Sequence, residues 1–134
     1  MVMKGDILDP AGMSSHNAET WRSPMAVTSV LDQLLSGEVV DSTDVARALG
    51  TAPKSVNRWS AQKSSPRRNS EEKLLELKAV VDVLRTVLSD EAARLWLRSP
   101  NADLDWQKPL DVLASGGYRS VIGVILAMAE GVTA

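Results

Sequence analysis

The stretch "NSEEKLLELKAVVDVLRTVL", residues 69–88, constrains the fold more than any other part of the chain. Leu74, Leu77, Val81, Leu84 and Leu88 recur at helical spacing, and Leu75, Val80, Val83 and Val87 widen the stripe. That apolar face is broader than one neighbouring helix needs. Such a helix either sits centrally, with other elements around it, or lends surface to a subunit contact. Asn69 with Glu72, or Ser70 with Glu71, can cap its start. Glu71, Glu72 and Glu76 read as solubilising charge on an exposed face.

The other segments supply helices to surround it. Val27, Val30, Leu31, Leu34 and Leu35 form one stripe in "MAVTSVLDQLLSG", with Gly37 as a stop. "DSTDVARALG" gives a short helix that Ser42 or Thr43 can cap, with Asp44 in its first turn and Gly50 at its end. "TAPKSVNRWSA" gives a third, with Thr51 as its cap and Pro53 in the first turn. "SDEAARLWLRSP" starts at Ser89 and stops before Pro100. "NADLDW" is a turn, and "KPLDVLASGG" is a short helix opened by Pro109 and closed by Gly116. "YRSVIGVILAMAEG" runs to Gly131 and is apolar on nearly every side, so it is buried in the core or against a partner. No segment alternates as a strand should. The expected fold is all-α: a helix-turn-helix region over 25–65, then the long helix and a small helical region over 69–134. Residues 1–24 show no period and read as a flexible arm. "QKSSPRRNS" is polar and reads as a linker, with a boundary near residue 65.

Charge is unevenly placed. Residues 46–70 hold Arg47, Lys54, Arg58, Lys63, Arg67 and Arg68 and no acid, although the whole chain has a formal charge of -2. A basic patch on an acidic body can approach phosphates in one orientation only. On a helical wheel, Ala52, Val56 and Trp59 gather on one side of the third helix. They can seat against Val45, Ala46 and Leu49 of the second. Ala46 allows close approach, and Gly50 supplies a backbone state that most residues resist. A helix held across another, with its polar side free, is what a helix-turn-helix needs to enter the major groove. Arg58 can reach a guanine edge and Asn57 an adenine edge, and Lys54 either base or phosphate. Thr51 and Ser55 can donate to phosphate near the helix start, and Arg67 and Arg68 fit backbone contacts. The alternative is a structural helical pair whose cations serve only solubility.

Nothing in the sequence points to catalysis. His16 is the only histidine and lies in the arm, so neither a histidine–carboxylate metal set nor a serine triad has support. Asp103 and Asp105 fall in a turn without further ligands. "ASGGY" has no lysine and serine behind it, so it is not a phosphate loop. The chain has no cysteine, which removes disulfides and thiol chemistry and fits a reducing compartment. It has neither a membrane-length apolar run nor a good signal peptide. The expectation is a cytoplasmic protein that is not an enzyme and needs no metal or cofactor.

Trp96, Leu97, Pro100, Asn101, Leu104, Pro109, Leu110, Leu113, Gly116, Val121, Leu126 and Gly131 form a combination that resembles the Xre/MbcA/ParS antitoxins. The preceding helix-turn-helix and long helix stand in the same order as in that family, so the resemblance covers roughly residues 27–134. It implies an antitoxin that binds and neutralises a RES-domain toxin that consumes NAD, and that represses its own operon. It also implies a homodimer, and a hetero-oligomer with the toxin. Tyr118, Arg119, Ile122, Glu130 and the tail Gly131, Val132, Thr133 and Ala134 are then the candidates for toxin contact. Family members commonly carry glycine after the leucine matched by Leu104, where this chain has Asp105. Two alternatives stand beside this one: a dimeric DNA-binding regulator without a toxin, and a helical adaptor that binds no DNA.

Overall fold

The long helix spans Arg68–Leu84, ending one turn earlier than the apolar repeat predicts. Thr86 N donates to Val83 O and Val87 N to Leu84 O, both at 3.0 Å, while Thr86 Oγ1 donates to the same Val83 carbonyl at 2.6 Å. Backbone bonds of this shorter span, with a hydroxyl competing for a carbonyl, close an α-helix. The computed structural model describes residues 24–131. Its elements are α1 (Pro24–Ser36), α2 (Ser42–Leu49), α3 (Pro53–Ser60), α4 (Arg68–Leu84), α5 (Asp90–Arg98), a 3-10 turn (Ala102–Leu104), α6 (Pro109–Ala114) and α7 (Tyr118–Gly131). The expected all-α class is what is found. His16, Trp21, Val132, Thr133 and Ala134 lie outside the described residues, as does the predicted arm, save Pro24, which opens α1.

Of the two roles open to the long helix, it takes the central one. Leu74, Leu77, Val80, Val81 and Leu84 are all buried. α1, α2, α6 and α7 each pack against it. Glu71 departs from expectation, being buried rather than exposed. It stands in the first turn of α4, where the positive end of the helix favours a carboxylate. Arg67, not Asn69 or Ser70, occupies the cap position, and it makes no side-chain capping bond.

α2 is the second hub, packing on α3, α4 and α6. Its cap is Asp41 rather than Ser42 or Thr43. Asp44 N donates to Asp41 Oδ1 at 2.9 Å, and Asp41 N donates to Asp44 Oδ2 at 3.0 Å. This reciprocal capping box satisfies two helix-end donors at once. At its other end Gly50 adopts φ 70, and Thr51 N reaches back to Ala46 O at 2.9 Å. That is a Schellman closure, in which the left-handed residue reverses the chain.

Gln62 repeats the device at the end of α3, with φ 61 and Lys63 N donating to Arg58 O at 2.9 Å. Pro66 then inserts into the interior while its neighbours stay in solvent. The polar stretch between α3 and α4 is thus pinned at its centre. The buried residues on either side of it, from Val27 to Trp59 and from Leu74 to Ile125, form one cluster.

The close joint between α6 and α7 depends on Gly117. Its N–H donates to Val112 O at 2.8 Å. A Cβ there would overlap the Val112 side chain and lie 3.1 Å from the Val112 carbonyl oxygen. Gly117→Ala is expected to destabilise the fold by about 1–3 kcal/mol through this overpacking. Urea unfolding measures it, and wild-type stability in the variant would show that the joint has slack.

Candidate functional site

α3 is held by its inward residues. Val56 and Trp59 are buried beside Val45, Ala46 and Leu49 of α2. Ala52, expected in the same seam, is instead exposed, because it serves as the cap residue outside the helix. Its backbone there is extended, at ψ 147, so the helical spacing that would group it with Val56 and Trp59 does not apply. Thr51 is likewise not the cap, and both it and Ser55 are half-buried. Lys54, Asn57 and Arg58 are exposed on the outer face, followed by exposed Lys63 and Arg67. Three residues join α2 to α3, and the left-handed Gly50 leads that turn.

The basic patch is smaller than its count. Arg47 forks onto Asp111 of α6, with Nε to Oδ1 at 2.5 Å and Nη2 to Oδ2 at 3.0 Å. Arg68 lies 3.7 Å from Glu72, both well exposed, so that pair is weak. Lys54, Arg58, Lys63 and Arg67 make no ion pair among the described residues, which leaves four cations on α3 and the turn after it.

A second charged seam fixes α2 to α5. Arg98 Nε donates to Asp44 Oδ1 at 2.9 Å, and Arg98 Nη2 to Asp44 Oδ2 at 2.6 Å and to Asp41 Oδ2 at 3.3 Å. Arg94, one turn earlier, donates to the Glu38 carbonyl before α2. Burial by itself would raise the Asp44 pKa. The Arg98 bonds and charge and the two bonds with Asp41 outweigh it, so the carboxyl lies below the ordinary value. Asp111 is also lowered, first by its bond to Arg47. A cleft of about 380 Å³ opens between α2, α5 and α6, and Asp41, Asp44, Arg47, Arg98 and Lys108 give it mixed charge.

Asp44 and Asp111 therefore bind protons more readily in the unfolded chain. Their stabilisation is complete above the unfolded aspartate value of about 3.9 and is lost as pH falls through their lower folded values. Asp44→Asn is expected to cost about 1–3 kcal/mol near neutral pH, by weakening a buried charged fork. Urea unfolding should show the gap to wild type narrowing below about pH 4. A gap independent of pH would contradict the pairing.

α7 is not the wholly buried helix that its composition allows. Only Val121 and Ile125 are buried. Tyr118, Ile122, Val124 and Met128 are half-buried, and Arg119, Glu130 and Gly131 are exposed. Leu126 is 51% exposed, a large apolar side chain left to water. The toxin-contact candidates on α7 share one helix, whose supports are α4, α6 and the 3-10 turn. α3, with the DNA candidates, packs on α1 and α2. The two sets thus sit on different helices joined through α2, α4 and α6.

Sequence reasoning missed Arg98, Asp41 and Asp111, and it counted Arg47 among the free cations. An Asp-x-x-Asp capping box was visible at 41–44, but partners 54 and 64 residues away leave no local signal. Among the described residues no group of three or more metal-ligating side chains occurs, and no helix is long and apolar enough to cross a membrane.

Residues 77–131 match the family of the antitoxin Xre/MbcA/ParS C-terminal toxin-binding domain. The mycobacterial cidal antitoxin MbcA of Mycobacterium bovis is 37% identical over 108 residues, which cover 78% of this chain and 96% of that protein. The MbcA of Mycobacterium tuberculosis is similar to the same degree, at 37% over 108 residues. The crystal structure of the M. tuberculosis MbcT–MbcA toxin–antitoxin complex contains a chain that superposes with a TM-score of 0.68 at 35% identity. The match covers 78% of this chain and 95% of that one.

Proposed function

The chain belongs to the Xre/MbcA/ParS antitoxin family, and on that premise we propose that it neutralises a RES-domain, NAD-consuming toxin by direct binding and represses its own operon. It acts as a binding protein in the cytoplasm, without catalysis or a cofactor of its own. Residues 69–134 bind the toxin and dimerise, and residues 25–65 bind operator DNA.

One observation carries the toxin half. Within the matched segment 77–131, α7 buries only Val121 and Ile125 fully, leaves Tyr118, Ile122, Val124 and Met128 partly open at the edge of the core, and leaves Leu126 half exposed. A single exposed leucine is ordinary, but a run of half-open apolar side chains along one helix is the kind of surface that partners cover. A relative of 35% identity was solved in complex with a toxin, which supports a protein occupant. Tyr118, Arg119, Ile122, Glu130 and Gly131, with the following Val132, Thr133 and Ala134, form the contact surface. The operator half draws support from the exposed Lys54, Asn57 and Arg58 on a helix whose other side is buried against α2. Thr51 and Ser55 reach phosphate, as do Arg67 and Arg68. A dimer would place two such helices on two half-sites, which multiplies their few contacts.

The two roles separate by mutation. Lys54→Ala with Arg58→Ala is expected to weaken operator binding at least about tenfold in gel shift while toxin neutralisation persists. Unchanged operator affinity would remove α3 as the DNA reader. Leu126→Arg should do the opposite, abolishing rescue of toxin-expressing cells while operator binding stays near wild type. Full rescue by that variant would mean that the toxin binds elsewhere.

A further inference from the structure

The turn after α5 carries a feature that neither the core nor the charged seams require. Trp106 is 71% exposed, the most open large apolar side chain among the described residues. Its backbone is left-handed at φ 64, directly after Asp105 at φ 57. Two consecutive non-glycine residues in that state are unfavourable for L-amino acids, because Cβ crowds the following carbonyl. The surrounding bonds enforce it. Trp106 N donates to Asn101 O at 2.8 Å, Asn101 N to Gln107 O at 3.1 Å, and Gln107 N to Leu104 O at 3.0 Å. The Asn101 side chain accepts from Asp103 N at 2.8 Å, and buried Leu104 roots the turn in the core.

We propose that residues 101–107 form a rigid knob presenting Trp106 as a second anchor for the toxin that covers α7. This rests on the toxin-binding role above. A strained backbone that displays an indole to water returns little to folding, and strain of this kind is retained where it serves a contact. The occupant follows from place. Trp106 lies inside residues 77–131, the segment that matches the family's toxin-binding domain, and the 3-10 turn before it packs against α7. Tryptophan is also the residue type most enriched among side chains that dominate interface energy. The matching site on the toxin is an apolar pocket with an acceptor for the indole N–H. Its rim is basic, because Asp103 and Asp105 are exposed beside Trp106.

The test uses the full chain and a purified RES-domain toxin, with Kd from calorimetry and Tm measured in parallel. Trp106→Gly is expected to raise Kd about tenfold to a hundredfold while Tm stays level or rises, since the backbone strain is relieved. Trp106→Phe should keep most of the affinity. Leu126→Arg serves as the reference for the α7 surface. A Trp106→Gly Kd within about twofold of wild type, with Leu126→Arg unable to bind, overturns the knob and leaves the toxin-binding role standing. Absence of binding by the wild-type chain overturns both. An unchanged Kd with altered self-association by light scattering assigns the knob to a second copy of this chain and likewise overturns the proposal.

Discussion

The Asp44 carboxylate sets the positions of most other parts. It is almost fully buried, and a buried charge is tolerable only when its lone pairs are met. Asp44 meets that condition with the Asp41 backbone N–H on one side and the Arg98 fork on the other. The start of α2 and the end of α5 are therefore fixed by the same group. α2 in turn seats α3 through Ala46 and the Gly50 turn, and grips α6 through Arg47 and Asp111. Removing the charge from Asp44 would loosen the frame on which both candidate surfaces are displayed.

Electrostatics and packing share the arginines between them. Arg47 and Arg98 hold helices together, whereas Lys54, Arg58, Lys63 and Arg67 stay on the surface. The same residue types thus do opposite jobs according to what faces them. A chain with a formal charge of -2 keeps a local positive face because its acids are committed elsewhere, three of them to the seams around α2. Long-range repulsion by the acidic body and short-range attraction at α3 would favour a single approach to a polyanion.

Much of the fold was legible because helical periodicity is strong in this sequence. The stripe of α4, the Gly50 turn and the Ser89 cap all fall where pattern places them. What was not legible has physical causes. Ser42 and Thr43 looked like caps as good as Asp41, since capping preference among these types differs little. Glu71 looked exposed because of its charge, although it stands three residues before Leu74 and so shares the buried face. α7 was ambiguous for a different reason. A helix apolar all round has the same pattern whether its outer side meets the core or a partner, and only the structure shows that just Val121 and Ile125 are fully buried. Of the left-handed pair, Asp105 was hinted at by the family's glycine at that position, and aspartate tolerates the state, but nothing marked Trp106, a residue type that turns do not prefer there. The α3 face was readable in outline, since Val56 and Trp59 fix which side is buried, but which outward residue touches which group is a property of the ligand.

The polar run after α3 looks like a place where a gene could be cut and its parts exchanged. Pro66 is buried, however, and α2 lies against α4 and α6 on the far side of that run. A recombination event there would strip the α2 face of its partners and leave Arg47 and Asp44 without their counter-charges. The segments on either side of that run therefore depend on each other for packing and counter-charge. Change in whatever the outer side of α3 contacts is open to point substitution, because only its inner side, Val56 and Trp59, is committed to the core.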